Sequence, residues 1–304
     1  MTNYQIAVIL TCYNRKILTL AALRAMYEAQ EHYNNETFDS KILLTVFLTD
    51  DGCSDGTSLA VHEAFPEQEI HILQGNGHLY WAGGMRVAWQ EALKWKEEWD
   101  FYLLLNDDTM FCRNAFQELL KTQFFEFNQI GKMGISCGVC SSMDGKEITY
   151  GGKVYSAPLV GKAVLIKPNG NPQPCLLTNA NMLLVSSQVV EKNGIFDEHY
   201  LHSNADWAYG LEAQKAGFPV YITGSVCGLC DYDHDSTFVE KEKIISMSIR
   251  ERKAFFNHPL RATKDRLYFM RKYQKSKFVL LYIARLINIY TPTIYYKLFS
   301  LRPH

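Results

Sequence analysis

The residues best suited to chemistry lie where apolar runs stop. Phe101–Leu105 is an unbroken apolar run that ends at Asn106-Asp107-Asp108-Thr109. Such a run reads as a buried strand of a parallel sheet, and ligands of open α/β sheets sit just beyond the carboxyl ends of the strands. Carboxylates there can hold a hard divalent cation, Mg2+ or Mn2+, which in turn holds phosphate oxygens. The plain structural reading is a helix cap, because Asp and Asn also accept the free N–H groups of a helix that follows a strand. This stretch alone does not separate the two.

Three more strand ends carry polar groups. A strand over residues 5–10 ends in Thr11-Cys12-Tyr13-Asn14-Arg15 and is followed by helical spacing over 16–32. A second, over 41–49, ends in Asp50-Asp51-Gly52-Cys53-Ser54-Asp55-Gly56-Thr57, with a helix over about 56–65. A third, over 69–73, runs into Gln74-Gly75-Asn76-Gly77-His78-Leu79-Tyr80-Trp81-Ala82-Gly83-Gly84, and a helix is expected from about 85 to 95. Four strand–helix alternations predict an α/β fold with a mostly parallel sheet and crossover helices. All four polar ends then fall on one sheet edge, which is harder to explain as capping than one would be. Glycines in 76–84 let backbone N–H groups approach phosphate, a helix starting near Gly84 points its positive end there, and Arg86 can add a bidentate contact.

Downstream, short strands at 134–139, Lys153–Tyr155 and 182–185, separated by turn residues, predict antiparallel additions. Residues 206–216 read as a helix stopped by Gly217, with a closing strand over 218–222.

Composition sets the frame. The 304 residues are 47% hydrophobic and 21% charged, ordinary for one large domain or a domain with an appendage. A net charge of −1 argues against nucleic acid as a partner. The charge is unevenly spread: residues 241–304 hold 15 Lys/Arg against three Asp/Glu. An acidic body with a basic tail signals a partner. Neither a secretory signal nor an apolar run of roughly 20 residues, the length of a membrane span, is read. The eight cysteines show no disulfide spacing and read as reduced cytosolic thiols. Cys137/Cys140 and Cys227/Cys230 formally suggest zinc, but positions three apart on a strand point to opposite faces.

Taken together, residues 5–230 resemble the inverting family 2 glycosyltransferases of GT-A fold, of the rhamnosyl- and galactosyltransferase kind that build bacterial polysaccharides. The resemblance rests on Thr11 to Arg15, on the Asp50-to-Thr57 loop, on Asn106-Asp107-Asp108 as a variant D-x-D motif, and on Asp206 to Gly217 as the acidic catalytic helix. It implies a GT-A domain over 1–235 and a helical extension over 236–304. It also implies a nucleoside-diphosphate sugar donor, a glycan or lipid-linked acceptor, and a divalent cation. Thr11, Tyr13, Arg15, Asp50, Asp51, Asn76, Gly77, Arg86, Asn106 and Asp107 would bind nucleotide. Trp81, Gly83, Gly84, Asn181 and His202 would face donor or acceptor sugar. Asp108 would bind the cation, with the choice between Asp231 and His234 as a further ligand left open. Asp206 would be the general base that deprotonates the acceptor hydroxyl.

The plain readings are an Asx-stabilised turn for the Asp50 loop and a helix cap for Asp206. The family often has an Asp two residues after the base and an Arg near the end of the following turn; this chain has Ala208 and Glu212 there. That departure keeps a non-catalytic nucleotide-sugar or glycan-binding relative in play. A sugar-nucleotide nucleotidyltransferase is a second rival, but residues 5–16 lack the glycine-rich phosphate loop it would need. In the tail, Lys272, Lys275 and Lys277 precede an apolar segment over 278–290 broken only by Arg285 and Asn288. Residues 270–300 therefore suit a helix lying on an anionic membrane surface, as for a cytoplasmic enzyme peripheral on the inner face of the plasma membrane. A helix packed on the body and a homodimer contact are the alternatives.

Overall fold

Side chains alternate in direction along a strand, so successive residues of a buried apolar run face opposite layers. The computed structural model describes residues 2–95, 98–157, 162–232 and 241–299. Its first half alternates β1 (Thr2–Cys12), α1 (Lys16–Glu36), β2 (Ser40–Asp50), α2 (Thr57–Ala64), β3 (Ile70–Gln74), α3 (Tyr80–Lys94) and β4 (Phe101–Leu105). The strands lie in the order β4-β1-β2-β3 and are all parallel. Cys12 stands opposite Asp50, and Asp50 opposite Gln74, so their ends lie level along one edge.

Ile6, Val8 and Leu10 of β1 pack with Phe101, Leu103 and Leu105 of β4 against Leu23, Met26 and Ala29 of α1. Ala115, Phe116 and Leu119, from α4 (Ala115–Ile130), complete that layer. The alternate residues point the other way. There Tyr102 meets Trp89 of α3, whose Met85, Ala88 and Ala92 are also buried. A sheet covered on both faces is why β1 and β4 read as continuous apolar runs.

After the short β5 (Met110–Phe111), the second half adds β6 (Ile135–Ser141), β7 (Ile148–Tyr150), β8 (Lys153–Tyr155), β9 (Ala163–Leu165), β10 (Gln173–Pro174), β11 (Met182–Ser186) and β12 (Val220–Leu229), with α5 (Ser187–Asn193) and α6 (Ala205–Lys215). β11 inserts antiparallel between β4 and β6, as the turn-rich texture predicts. β12 runs parallel to β6 and extends past the expected 218–222. The longer strand brings Cys230 beside the end of β4. α3 begins at Tyr80, about one turn before the expected start, because the backbone N–H groups entering it are already satisfied by Asp51.

The described residues up to Glu198, together with Ala205–Tyr232, form one unit; His199–Asn204 and the described residues from 241 onward form the other. The second unit is helical: α7 (Lys241–Ser246), α8 (Ile249–Asn257), α9 (Thr263–Tyr273), α10 (Lys275–Tyr290) and α11 (Pro292–Phe299). Ser248 and Glu251 form a reciprocal capping box that starts α8. Buried Arg252 donates to the carbonyls of Ile289 (2.6 Å) and Met247, tying α8 to the ends of α10 and α7. Asp265 of α9 is 2% exposed, and its Oδ2 accepts the backbone N–H groups of Leu201, His202 and Ser203 at 3.2, 2.7 and 2.8 Å. Among the described residues no helix is long and apolar enough to cross a membrane.

One glycine in this frame answers to packing. A Cβ on Gly84 would lie 2.2 Å from Thr11 Oγ1 and 2.7 Å from Thr11 Cβ, so only glycine lets α3 meet β1 there. Gly84→Ala is expected to lower unfolding free energy by about 1–3 kcal/mol, the usual cost of overpacking. Urea unfolding monitored by circular dichroism checks it; an unchanged midpoint would refute the packing role.

Candidate active site

The end of β4 gathers two carboxylates and a guanidinium. Asp107 is 5% exposed, and Arg15, at the start of α1, donates to Asp107 Oδ1 at 3.0 Å and to Asp108 Oδ2 at 2.8 Å. Burial pushes the Asp107 carboxyl up to about 7; Arg15 opposes the shift and the neighbouring Asp108 adds to it. Asp107 Oδ2 is buried without a hydrogen-bond partner among the described residues. Asp108 Oδ1 meets the Cys230 thiol at 3.7 Å. Asn106 Oδ1 accepts the Trp81 indole N–H at 2.8 Å, so that ring is half-buried and anchored rather than exposed.

These residues answer whether a divalent cation fits. Among the described residues no group of three or more His, Cys, Asp or Glu can hold a metal. The corner instead offers two adjacent carboxylates and one buried, unpartnered carboxylate oxygen. Mg2+-type sites are commonly of this kind, with one or two carboxylates and the rest of the shell from substrate phosphates and water. Asp107 and Asp108 therefore fit such an ion. Of the two further candidates, Asp231 Oδ1 accepts the Met143 N–H at 2.8 Å, while His234 lies outside the described residues.

The neighbouring strand ends form a preordered loop pair. Asp50 is 4% exposed; its Oδ1 accepts the Cys53 N–H at 2.6 Å and its Oδ2 the Ser58 hydroxyl. Asp51, equally buried, accepts from the N–H groups of Gly77 (2.9 Å), Leu79 (3.0 Å) and Tyr80 (3.0 Å). Asp51 thus shapes the 74–80 loop and caps α3. Gly77, at φ +78°, holds a conformation that favours glycine. Asn76 Oδ1 closes an Asx turn on the His78 N–H at 2.9 Å. Thr11 donates to the Thr49 carbonyl at 3.1 Å, and Tyr13 is 56% exposed at the same edge. Gly83 and Gly84 are buried in α3. Arg86 donates to the Asp197 carbonyl at 3.2 Å.

Asp206 lies in the first turn of α6 and is 8% exposed, so it is a buried side chain rather than an open cap. Its Oδ1 accepts the Trp207 N–H at 2.9 Å and its Oδ2 the Ala180 N–H at 3.3 Å. Burial raises its pKa to about 6 against the pull of those N–H groups and of Lys153. Asn181, next to Ala180, donates to Thr109 Oγ1 at 3.2 Å and to Cys230 Sγ at 3.3 Å. The Asn179–Ala180–Asn181 turn therefore joins Asp206 to the Asp107–Asp108 corner. His202 belongs to the loop gripped by Asp265, in the other unit.

Three participants escape sequence reading. Cys230 reaches Asp108 only because β12 outruns its apolar core. Lys153, whose amine burial pushes down in pKa, sits within electrostatic range of Asp206 from 53 residues upstream and lies 5.2 Å from the Trp207 ring centroid. The Arg15 pairing spans 92 and 93 residues. The helical spacing that places Arg15 at the head of α1 was the one available signal.

No protein-family model matches the chain, and no curated protein matches it. Solved structures do. S. aureus TarS 1–349 in complex with UDP-GlcNAc is 13% identical, with a TM-score of 0.52 over 98% of this chain and 76% of that one. A mannosyltransferase from Pyrobaculum calidifontis, in complex with GDP-Man and Mn2+, is 14% identical, with a TM-score of 0.51 over 97% and 83%. The fold is therefore GT-A: a mostly parallel central sheet flanked by helices, with a helical C-terminal extension.

The raised pKa of Asp206 has a sign in stability. The folded carboxyl titrates near 6 and the unfolded one near ~4. The folded state thus binds the proton more tightly, and the benefit, complete below the unfolded pKa, is lost as pH rises through 6. Asp206→Asn cannot titrate. The stability of wild type relative to this variant is expected to fall by about 2 kcal/mol between pH 4 and 7, measured by urea unfolding across that range; a flat difference would contradict it.

Proposed function

We propose that this chain is an inverting, cation-dependent glycosyltransferase of the family 2 type, moving a sugar from a nucleoside diphosphate to a hydroxyl of a glycan or lipid-linked acceptor. The observation that carries the reading is the bonded path from the Asp107–Asp108 corner through Cys230 and Asn181 to buried Asp206. That path joins the Asp107–Asp108 carboxylate pair to a carboxylate with a pKa of about 6. The binding of UDP-GlcNAc and of GDP-Man with Mn2+ by proteins of the same fold supports it.

Arg15, Asp107 and Asp108 would hold the diphosphate end of the donor. The Asp50 loop and the 74–80 loop would hold base and ribose through their backbone groups, with Asp50 and Asp51 keeping those loops in shape. A divalent cation on Asp107 and Asp108, when bound, would supply positive charge to the leaving diphosphate. Asp206 would take the acceptor hydroxyl proton on a carboxylate oxygen as the acceptor oxygen bonds to the anomeric carbon. The bond from that carbon to the diphosphate oxygen breaks, and the nucleoside diphosphate leaves. Attack from the face opposite the leaving group inverts the anomeric centre. A base with a pKa near 6 is charged at neutral pH yet still basic enough to accept a proton.

Asp206→Asn is expected to preserve the rise in melting temperature given by UDP or GDP with Mn2+. Sugar transfer should fall by at least about 100-fold, the usual contribution of a general base. In wild type, kcat/KM should climb with pH and level off above an apparent pKa near 6. Near-wild-type turnover in the variant would remove Asp206 as the base; nucleotide binding without any transfer in wild type would favour the non-catalytic relative.

We further propose that the acceptor is met at an anionic membrane surface. Val279, Leu280, Ile283, Leu286 and Tyr290 of α10 are exposed, as are Ile294 and Leu298 of α11, with exposed Arg271, Lys272 and Lys275 alongside. Apolar side chains flanked by cations suit lipid with negative headgroups. The full-length protein should sediment with vesicles containing phosphatidylglycerol but not with phosphatidylcholine alone, and Leu280→Glu/Ile283→Glu should abolish it. Unchanged sedimentation would remove the membrane reading; a wild-type dimer that the double variant dissociates would assign the face to a second copy.

A further inference from the structure

The candidate active site takes up the carboxyl end of β4; the amino end of the same strand borders a cleft. It has a volume of about 420 Å3 and opens between the end of α3, the 98–100 segment that leads into β4, and α5. Small-molecule sites commonly measure roughly 300–1,000 Å3. Trp95, Trp99 and Tyr102 supply aromatic wall, and Glu98, Asp100 and Glu191 supply carboxylates. The length of β4, about 16 Å at ~3.3 Å per residue, separates this cleft from the Asp107–Asp108 corner. We propose that the cleft binds an aliphatic polyamine, whose ammonium groups meet the three carboxylates while its carbon chain lies against the aromatic side chains.

Charge sets the sign of the ligand. Glu98, Asp100 and Glu191 are exposed and form no ion pair among the described residues, and no Lys, Arg or His lines the cleft. Asp100 Oδ2 accepts the Gln5 N–H at 2.8 Å, which fixes that carboxylate and leaves Oδ1 over. An anion would be repelled here, and a neutral ligand would cover the carboxylates without repaying their lost hydration. A single metal ion does not fit either. Among the described residues no group of three or more His, Cys, Asp or Glu can hold one, so these carboxylates do not converge on one point. Spaced carboxylates are matched by several separate positive charges on one molecule. The walls suit the same ligand, since ammonium groups are drawn to the faces of Trp and Tyr. Trp99, 6% exposed, is pinned by donating its indole N–H to the Ala92 carbonyl at 3.0 Å, and Trp95 packs on His71 with ring centroids 4.3 Å apart. Tyr102 adds an independent sign of a ligand. Its side chain lines the cleft and is 6% exposed, yet its hydroxyl has no hydrogen-bond partner among the described residues. Burial, with the Glu191 carboxylate nearby, pushes that hydroxyl up to about 12. It therefore keeps its proton, and its oxygen is left to accept from an ammonium group.

The test titrates spermidine calorimetrically, at low salt, into full-length wild type, Glu191→Gln, Tyr102→Phe and Glu28→Gln. Glu28 is an exposed carboxylate on α1, outside the cleft. Spermidine is expected to bind wild type one to one. Glu191→Gln should weaken it at least about threefold, the loss of one partly solvated charge pairing. Tyr102→Phe should weaken it by about the same factor, since it keeps the ring and removes the acceptor; this variant gives the comparison if Glu191→Gln does not fold. Glu28→Gln should bind as wild type does, and an excess of maltotriose should leave spermidine in place. Absence of binding in wild type overturns the proposal, as does equal affinity in wild type and Glu191→Gln. An equal loss in Glu28→Gln also overturns it, by showing general attraction to an acidic surface. Displacement by maltotriose would give the cleft to a sugar instead.

Discussion

Negative charge at the ends of parallel strands is the constraint on which this structure depends. Register sets Asp50 level with Cys12 and Gln74, and β4 adds Asp107 and Asp108 on the far side of β1. Each buried carboxylate there must find donors or lose its charge. Asp51 finds three backbone N–H groups and Asp50 a backbone N–H and a hydroxyl. Asp107 finds half of a guanidinium, and its pKa rises. The order of the loops and the unfinished state of the β4 corner follow from how completely each group is satisfied.

The same division separates scaffold from chemistry. Asp50 and Asp51 spend their oxygens internally, so what they contribute is a pair of loops of fixed shape. The β4 corner keeps an unpartnered oxygen, and Asp206 keeps a proton affinity suited to neutral pH. Preordering at one end and unmet bonding capacity at the other are what a site needs in order to bind a large anion and then act on it.

Legibility from sequence followed the range of the interaction. The run Phe101–Leu105 ending at Asn106 is local, and it revealed both a strand and the end that matters. Four such endings sufficed for the parallel half of the sheet. The start of α3 was misplaced by about a turn because its entry is set by Asp51, some 30 residues earlier. Cys230 was read only as half of a formal zinc pair, because its neighbour Asp108 is 122 residues away and β12 extends beyond its apolar centre. Lys153 and Asp265 are ordinary surface-type residues by composition; only tertiary packing buries one beside Asp206 and gives the other three N–H groups to hold.

The insertion of β11 between β4 and β6 bears on how the chain is made. β4 can pair with β1 once the chain has reached Leu105, but its other edge waits for Met182, 77 residues further on. Until then a fully apolar strand presents unpaired backbone groups to other chains. On a ribosome adding about 5–20 residues per second, that edge stays open for several seconds. A translational pause or a break before residue 182 would lengthen that interval and prolong the exposure of this edge.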